Sequence, residues 1–345
     1  MMAVRREKST DEANTPDTGK DSATDEPPDV QQVMVAGTDA PPQEAEGLDG
    51  VAAPALGRAQ FEGRPVVKTA MARSSTAGVV CDRSDCGGFT VYAASQIGGD
   101  HETRGRFRED AYAFAPSPAD ESGICIVAVA DGVSQSRSAA LAADEAASTI
   151  VEALCQYTGG AGAPTPKSWQ QDARKIVKEL AAGMPASINN ARRLRLEWRQ
   201  PAQPKSTPAT TLVFAVLVPG PTAVSIYWGG IGDSLIGVVN LVDEARNDLI
   251  YDGAPKARAD SATFALPRNA DRAVFGCESL LPGDVVWLGT DGFAKAMWAR
   301  PDFMAEAIAD TAVNPPKASD FLRMVDWRLE GANDDRTVAI VWPHA

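Results

Sequence analysis

Apolar residues along this chain fall into two periods. Residues 89–95 alternate as a half-buried strand does, and 111–115 continue in strand fashion after a loop. Residues 124–130 form a β-branched run that stops at Asp131-Gly132, the pattern of a buried strand running into a turn. The period then lengthens. Residues 136–157 are Ala-rich and hold neither Gly nor Pro, which favours a helix. Residues 167–199 read as a second helix, with Ile176, Leu180, Met184 and Ile188 four apart on one face. Strands return at 210–218, 224–228 and 235–242, and residues 249–253 read as turn and loop. A Pro282-Gly283 turn precedes a strand at 285–289. Short helices are expected at 293–298 and 304–311, a longer one at 318–330, and a last strand at 337–342. Strands and helices are segregated rather than strictly alternating, so the expected class is α+β, with helices layered on antiparallel sheet. No internal repeat is visible.

Composition changes this picture at the N-terminus. Of the formal net charge of −13, residues 1–50 carry −8, from twelve acidic and four basic residues, leaving −5 for the rest. Residues 1–75 are rich in Asp, Glu, Pro, Thr, Ala and Gly, with Phe61 the only aromatic. Such a segment buries too little apolar surface to offset its ordering entropy. The expected organisation is a disordered acidic tail at 1–75 and one folded domain at 76–345.

The same inventory removes several functions. There is no basic stripe of the kind nucleic acid requires. No apolar run approaches the roughly 18 residues of a membrane span. The N-terminus is polar from Arg5 onward, so a cytoplasmic protein is expected, acting as a monomer. The five cysteines are an odd, scattered set, and no second pair completes a zinc site with Cys81 and Cys86. No cysteine precedes an Arg by six positions, so a thiolate phosphatase loop is absent. With only His101 and His344 in the chain, sites built on several histidines are excluded.

The informative residues sit where strands end. Glu109-Asp110, Asp131-Gly132, Gly232-Asp233, Asp291-Gly292 and Asn333-Asp334-Asp335 all place carboxylates at strand or loop edges. Carboxylates gathered in one cleft raise one another's pKa, and divalent cations relieve that repulsion. An all-oxygen donor set selects Mg²⁺ or Mn²⁺ over zinc or copper. Glycine after Asp131 and Asp291 permits positive φ or close backbone approach. Each dipeptide alone is an ordinary turn signal, as Asp252-Gly253 is here. Their order and spacing carry the reading.

That order resembles the metal-dependent serine/threonine protein phosphatases of type 2C, over residues 91–342. The motifs in sequence are Arg108-Glu109-Asp110-Ala111, then a hydrophobic strand into Asp131-Gly132, then Ala209-Thr210-Thr211, Gly232-Asp233-Ser234, Pro282-Gly283-Asp284 through Thr290-Asp291-Gly292, and Asp334-Asp335-Arg336-Thr337. The resemblance implies a central antiparallel β-sandwich flanked by α-helices. It implies two Mn²⁺ or Mg²⁺ ions, with room for a third, and a hydroxide held between metals that attacks phosphoserine or phosphothreonine of a protein substrate. An opposing kinase is then expected as a partner. A non-catalytic phosphoprotein-binding relative of the same fold is the alternative.

By the resemblance, Asp131 bridges the ions, Glu109 and the Gly132 carbonyl bind one, and Asp291 and Asp334 bind the other. Asp233 with Asp291 supplies the third site, and Asp110 holds a bound water. Many members place a phosphate-binding Arg where this chain has Gly105. The stretch from Gly98 through His101 and Gly105 to Glu109-Asp110-Ala111 instead resembles a bacterial subgroup. His101 is then a candidate for phosphate contact or proton donation, against a purely structural loop histidine. Arg104, Arg106 and Arg108 are candidates for the missing phosphate contact. Asp335 replaces the usual Asn and is not expected to be a ligand. Residues 240–280 are expected to hold a variable flap beside the cleft.

Overall fold

The computed structural model describes residues 67–68, 78–119, 122–134, 136, 138–194, 207–240, 246–253, 263–299, 315–326 and 333–344. The acidic leader apart from 67–68, the helix expected at 304–311, and the expected element ends at 195–199, 241–242 and 327–330 lie outside these residues.

Two antiparallel sheets form the centre. The first is built from β1 (Val67–Lys68), β4 (Asp110–Pro116), β5 (Cys125–Asp131), β6 (Leu212–Pro219), β7 (Val224–Ile231) and β10 (Val274–Leu280), in that spatial order. The second runs β2 (Val79–Cys86), β3 (Phe89–Gln96), β12 (Arg336–Pro343), β11 (Asp284–Gly289), β8 (Leu235–Asn240) and β9 (Arg246–Tyr251). Five α-helices and a 3-10 turn at Ala270–Arg272 complete the described elements; the α-helices are α1 (Gly99–Thr103), α2 (Ala139–Ala161), α3 (Trp169–Leu194), α4 (Asp291–Ala299) and α5 (Ala318–Val325).

Side-chain alternation divides the core into three layers. On β5, Ile126, Ala128 and Ala130 pack under α2 and α3, together with Ile150, Leu154 and Trp169. The intervening Val127 and Val129 face the other sheet, meeting Val91, Val286, Leu288 and Val341. On β11, Val285 and Trp287 face outward beneath Phe293 of α4 and Phe321 of α5. The order is thus helix, sheet, sheet, helix. Central strands covered on both faces read as continuous hydrophobic runs, which explains why 124–130 lacks alternation. On α3 the buried set is Val177, Leu180, Met184 and Ile188, with Ile176 only partly covered. A strict spacing of four drifts off a helix of 3.6 residues per turn, and Val177 takes the inner position.

Four strands escaped the sequence reading, the two-residue β1 among them. Residues 249–251, expected as loop, belong to β9, which pairs with β8. It is an edge strand, so its side chains alternate with solvent and Leu249 stays exposed. β10 is likewise an edge, and β2 pairs only with β3. Edge strands carry the weakest hydrophobic signal. Among the described residues, no helix is long and apolar enough to cross a membrane.

Candidate active site

The antiparallel ladders bring the acidic turns to one end of the sandwich. Asp110, the first residue of β4, lies opposite Asp131, the last of β5. Leu212 at the start of β6 pairs with Ile231 at the end of β7, so Asp233 follows at the same end. Asp233 lies in the link from β7 to β8, which joins the two sheets. In the second sheet, Gly289 at the end of β11 pairs with Leu235 at the start of β8 and with Val338 of β12. Asp291 and Asp334 therefore emerge beside the same rim. The Thr290 hydroxyl donates to Asp110 Oδ2 at 2.9 Å, tying the rims of the two sheets together.

Electrostatics report the convergence. Burial pushes the Asp131 carboxyl well above the usual carboxylate range, and Asp110, Asp291, Asp334 and Asp233 push it further. Asp110 is raised by burial and then by Asp335 and Asp334. Asp334 and Asp233 are each raised by burial and by Asp291. Burial also raises Glu109, against the pull of His101.

The two glycines act through close approach, and neither has positive φ. A Cβ on Gly132 would lie 2.6 Å from the Glu109 carbonyl oxygen, and one on Gly292 only 2.0 Å from that of Asp335. The Gly132 amide donates to the Glu109 carbonyl at 3.1 Å. Thr210 and Thr211 fix the turn from the other side. The Thr210 hydroxyl and the Thr211 amide both donate to the Asp131 carbonyl at 2.8 Å.

Asp335 organises the opening motif. Its buried carboxylate accepts from the Gly98 amide at 2.6 Å, the Glu109 amide at 2.5 Å and His101 Nδ1 at 3.0 Å. Its hydrogen bond raises the pKa of His101, outweighing the opposite effect of burial. With Nδ1 engaged, His101 Nε2 is turned toward Glu109 Oε2 at 3.7 Å.

A cavity of about 350 Å³ adjoins the rim, lined by His101, Arg104, Arg106, Ser134, Lys295 and Asp334 among others. Arg104 is exposed and pairs with Asp100 at 3.7 Å, while Arg106 is half-buried. Arg108 does not join them. It is buried, and its guanidinium donates to the carbonyls of Asp110 and Ser95, so it serves the fold rather than the cavity. Gly105 has φ 60°, a left-handed conformation that an arginine would adopt only under strain. Asp284 of the late motif is also structural, accepting from Asn240 Nδ2 at 2.6 Å and the Leu281 amide at 2.8 Å.

Lys295 was missed by the sequence reading. Its Nζ lies 2.8 Å from Asp291 Oδ2 and 3.6 Å from Asp334 Oδ2. The signal was present as the spacing of four from Asp291 on a helix. Asp335 was set aside as a non-ligand, and its organising role depends on long-range contacts.

The residues suit a hard cation by chemistry. The donors are oxygens, the carboxylates are short of positive charge, and Glu109 Oε2 is buried without a hydrogen-bond partner. As the side chains stand, no group of three or more His, Cys, Asp or Glu among the described residues is gathered closely enough to hold a metal. Lys295 occupies the space between Asp291 and Asp334 instead.

The two-sheet sandwich between helices thus brings acidic rims together beside a cavity that carries His101, Arg104, Arg106 and Lys295. The family model for protein phosphatase 2C matches residues 97–327, more than half the chain, and the chain belongs to that family. Among solved structures it is similar to a phosphatase from a pathogenic strain of Toxoplasma gondii, with a TM-score of 0.52 at 14% identity, covering 77% of this chain and 96% of that one. The serine/threonine phosphatase Stp1 from Staphylococcus aureus gives a TM-score of 0.49 at 12% identity, over 74% of this chain and 95% of its own. PppA of Pseudomonas aeruginosa, described as a key regulatory component of T6SS, gives 0.46 at 18% identity, over 74% and 97%. The Toxoplasma gondii structure shares the fold described here. No match was found among curated proteins.

Proposed function

We propose that this chain hydrolyses phosphoserine and phosphothreonine on proteins in a divalent-cation-dependent reaction, opposing a serine/threonine kinase. The observation that carries this reading is the placement of Asp131, Asp110, Asp291, Asp334 and Asp233 at one rim of the sandwich by strand register. Such an arrangement is unfavourable in itself and becomes favourable once cations are bound. We assign Glu109, Asp131, the Gly132 carbonyl, Asp233, Asp291 and Asp334 as the ligands of two, or at most three, Mn²⁺ or Mg²⁺ ions. When bound, a cation pair there supplies a water acidic enough to attack phosphorus near neutral pH.

The remaining steps belong to the chain's own residues. Asp110, oriented by Thr290, accepts a hydrogen bond from the attacking water and aligns it. Arg106, half-buried at the cavity, holds the phosphoryl oxygens, with Arg104 further out. Asp335 accepts from His101 Nδ1 and favours the doubly protonated imidazolium, whose Nε2–H gives its proton to the departing seryl or threonyl oxygen and leaves the neutral Nδ1–H imidazole. No covalent phosphoenzyme is required.

The test uses the purified full chain with a phosphothreonine peptide and p-nitrophenyl phosphate. Hydrolysis with Mn²⁺ that EDTA abolishes is expected, and Asp131→Ala and Asp291→Ala should each lower kcat by about 10³-fold or more. Unchanged turnover in either variant would remove the proposed centre.

A further inference from the structure

We propose that the Lys295 ammonium is a resident counter-cation of the acidic rim, and that a divalent cation occupies the Asp291–Asp334 pair only by displacing it. The inference rests on the cation-dependent reading above. α4 begins at Asp291, so Lys295 stands one turn further along the same helix face. From there its Nζ reaches Asp291 Oδ2 at 2.8 Å and spans to Asp334 Oδ2 at 3.6 Å, joining the end of β11 to the start of β12. One positive charge thus sits between two carboxylates that otherwise repel each other and Asp131.

An ammonium and a divalent cation cannot share those oxygens, because like charges a few ångströms apart repel strongly. The lysine has somewhere to go. Its side chain is about half exposed, at 47%, and it lines the roughly 350 Å³ cavity together with His101, Arg104, Arg106 and Ser134. A four-carbon stem with several rotatable bonds allows that swing. Two consequences follow. Without cations, Lys295 keeps the rim from splaying. With them, its charge moves into the cavity where phosphate is held, so cation uptake and phosphate affinity are coupled through one side chain.

The proposal is tested by calorimetric titration of Mn²⁺ into the full-length wild type, Lys295→Met and Lys295→Arg. The Met variant keeps the stem and removes the competitor, so it should bind Mn²⁺ about three- to tenfold tighter, a modest gain because the pair is partly solvated. The Arg variant keeps the charge and should stay within about twofold of wild type. A second measurement needs no variant: acylation of Lys295 by N-hydroxysuccinimide acetate, read by peptide mass spectrometry. Mn²⁺ should accelerate it by about threefold or more as the ammonium leaves its carboxylates. This arm decides the matter if Lys295→Met fails to fold. Wild-type binding with an unaltered or weaker affinity in Lys295→Met, or acylation that Mn²⁺ does not speed, overturns the inference alone. A wild type that takes up no Mn²⁺ overturns the cation-dependent reading as well.

Discussion

Asp335 offers the sharpest quantitative test, because type 2C phosphatases usually carry Asn at the corresponding position. In this chain its carboxylate accepts from three donors: Gly98 N at Oδ1, and Glu109 N with His101 Nδ1 at Oδ2. An amide at the same position has one acceptor oxygen and an NH₂ group that must face a donor. Asp335→Asn therefore leaves at least one buried N–H without an acceptor, at about 1–3 kcal/mol, and weakens the charge-assisted bonds that remain by about 1 kcal/mol. The sum, about 2–4 kcal/mol, corresponds to a Tm lowered by roughly 4–16 °C for a domain of this size. The loss depends on pH, with a definite sign. His101 has a folded pKa raised above its unfolded value of about 6.5, so its pairing contributes fully below that value and fades as pH rises through the folded one. Urea unfolding in EDTA at pH 5.5 and pH 8.5 measures both effects. The deficit of Asp335→Asn should be larger at pH 5.5. A variant within about 0.5 kcal/mol of wild type at both pH values, or one with the larger deficit at pH 8.5, would refute the account of Asp335 as organiser of the opening motif.

Other perturbations separate chemistry from stability. Asp131→Asn should abolish turnover yet raise the Tm of the EDTA-treated protein, since it removes a carboxylate raised by burial and by its acidic neighbours. The raised folded pKa also means that metal-free stability falls as pH rises from about 4 through that folded value, and Asp131→Asn should flatten this slope in thermal melts. Arg106→Ala should raise KM for a phosphopeptide about tenfold with little change in Tm, whereas Arg108→Ala should cost about 2–3 kcal/mol in urea unfolding, because it strips two buried backbone carbonyls of their donor. Gly292→Ala sets a methyl 2.0 Å from the Asp335 carbonyl oxygen and should destabilise by about 1–3 kcal/mol, read by the same unfolding assay.

Much of the architecture was legible in the residues. The β-branched run at 124–130 and the Ala-rich stretch from 136 specify their elements locally, since covered central strands and helices both leave strong hydrophobic signatures. β9 and β10 were not legible. As edge strands they are held by one partner, and half their side chains meet solvent. The turn-borne acids were visible as a set because carboxylates at strand ends are locally encoded. Arg104, Arg106 and Arg108 were indistinguishable in one dimension. The left-handed Gly105 and the inward course of Arg108 separated them in three.

By itself the sequence determined which chemistry this protein can hold: carboxylates at five ordered turns, no reactive thiol loop and one histidine near the acids. Tertiary structure alone decided which of these groups act on one another. Asp335 reaches across more than two hundred residues to fix His101 and Glu109, and Lys295 lies between Asp291 and Asp334. Such contacts are set by strand register and by the stacking of two sheets, which no local pattern of side chains specifies.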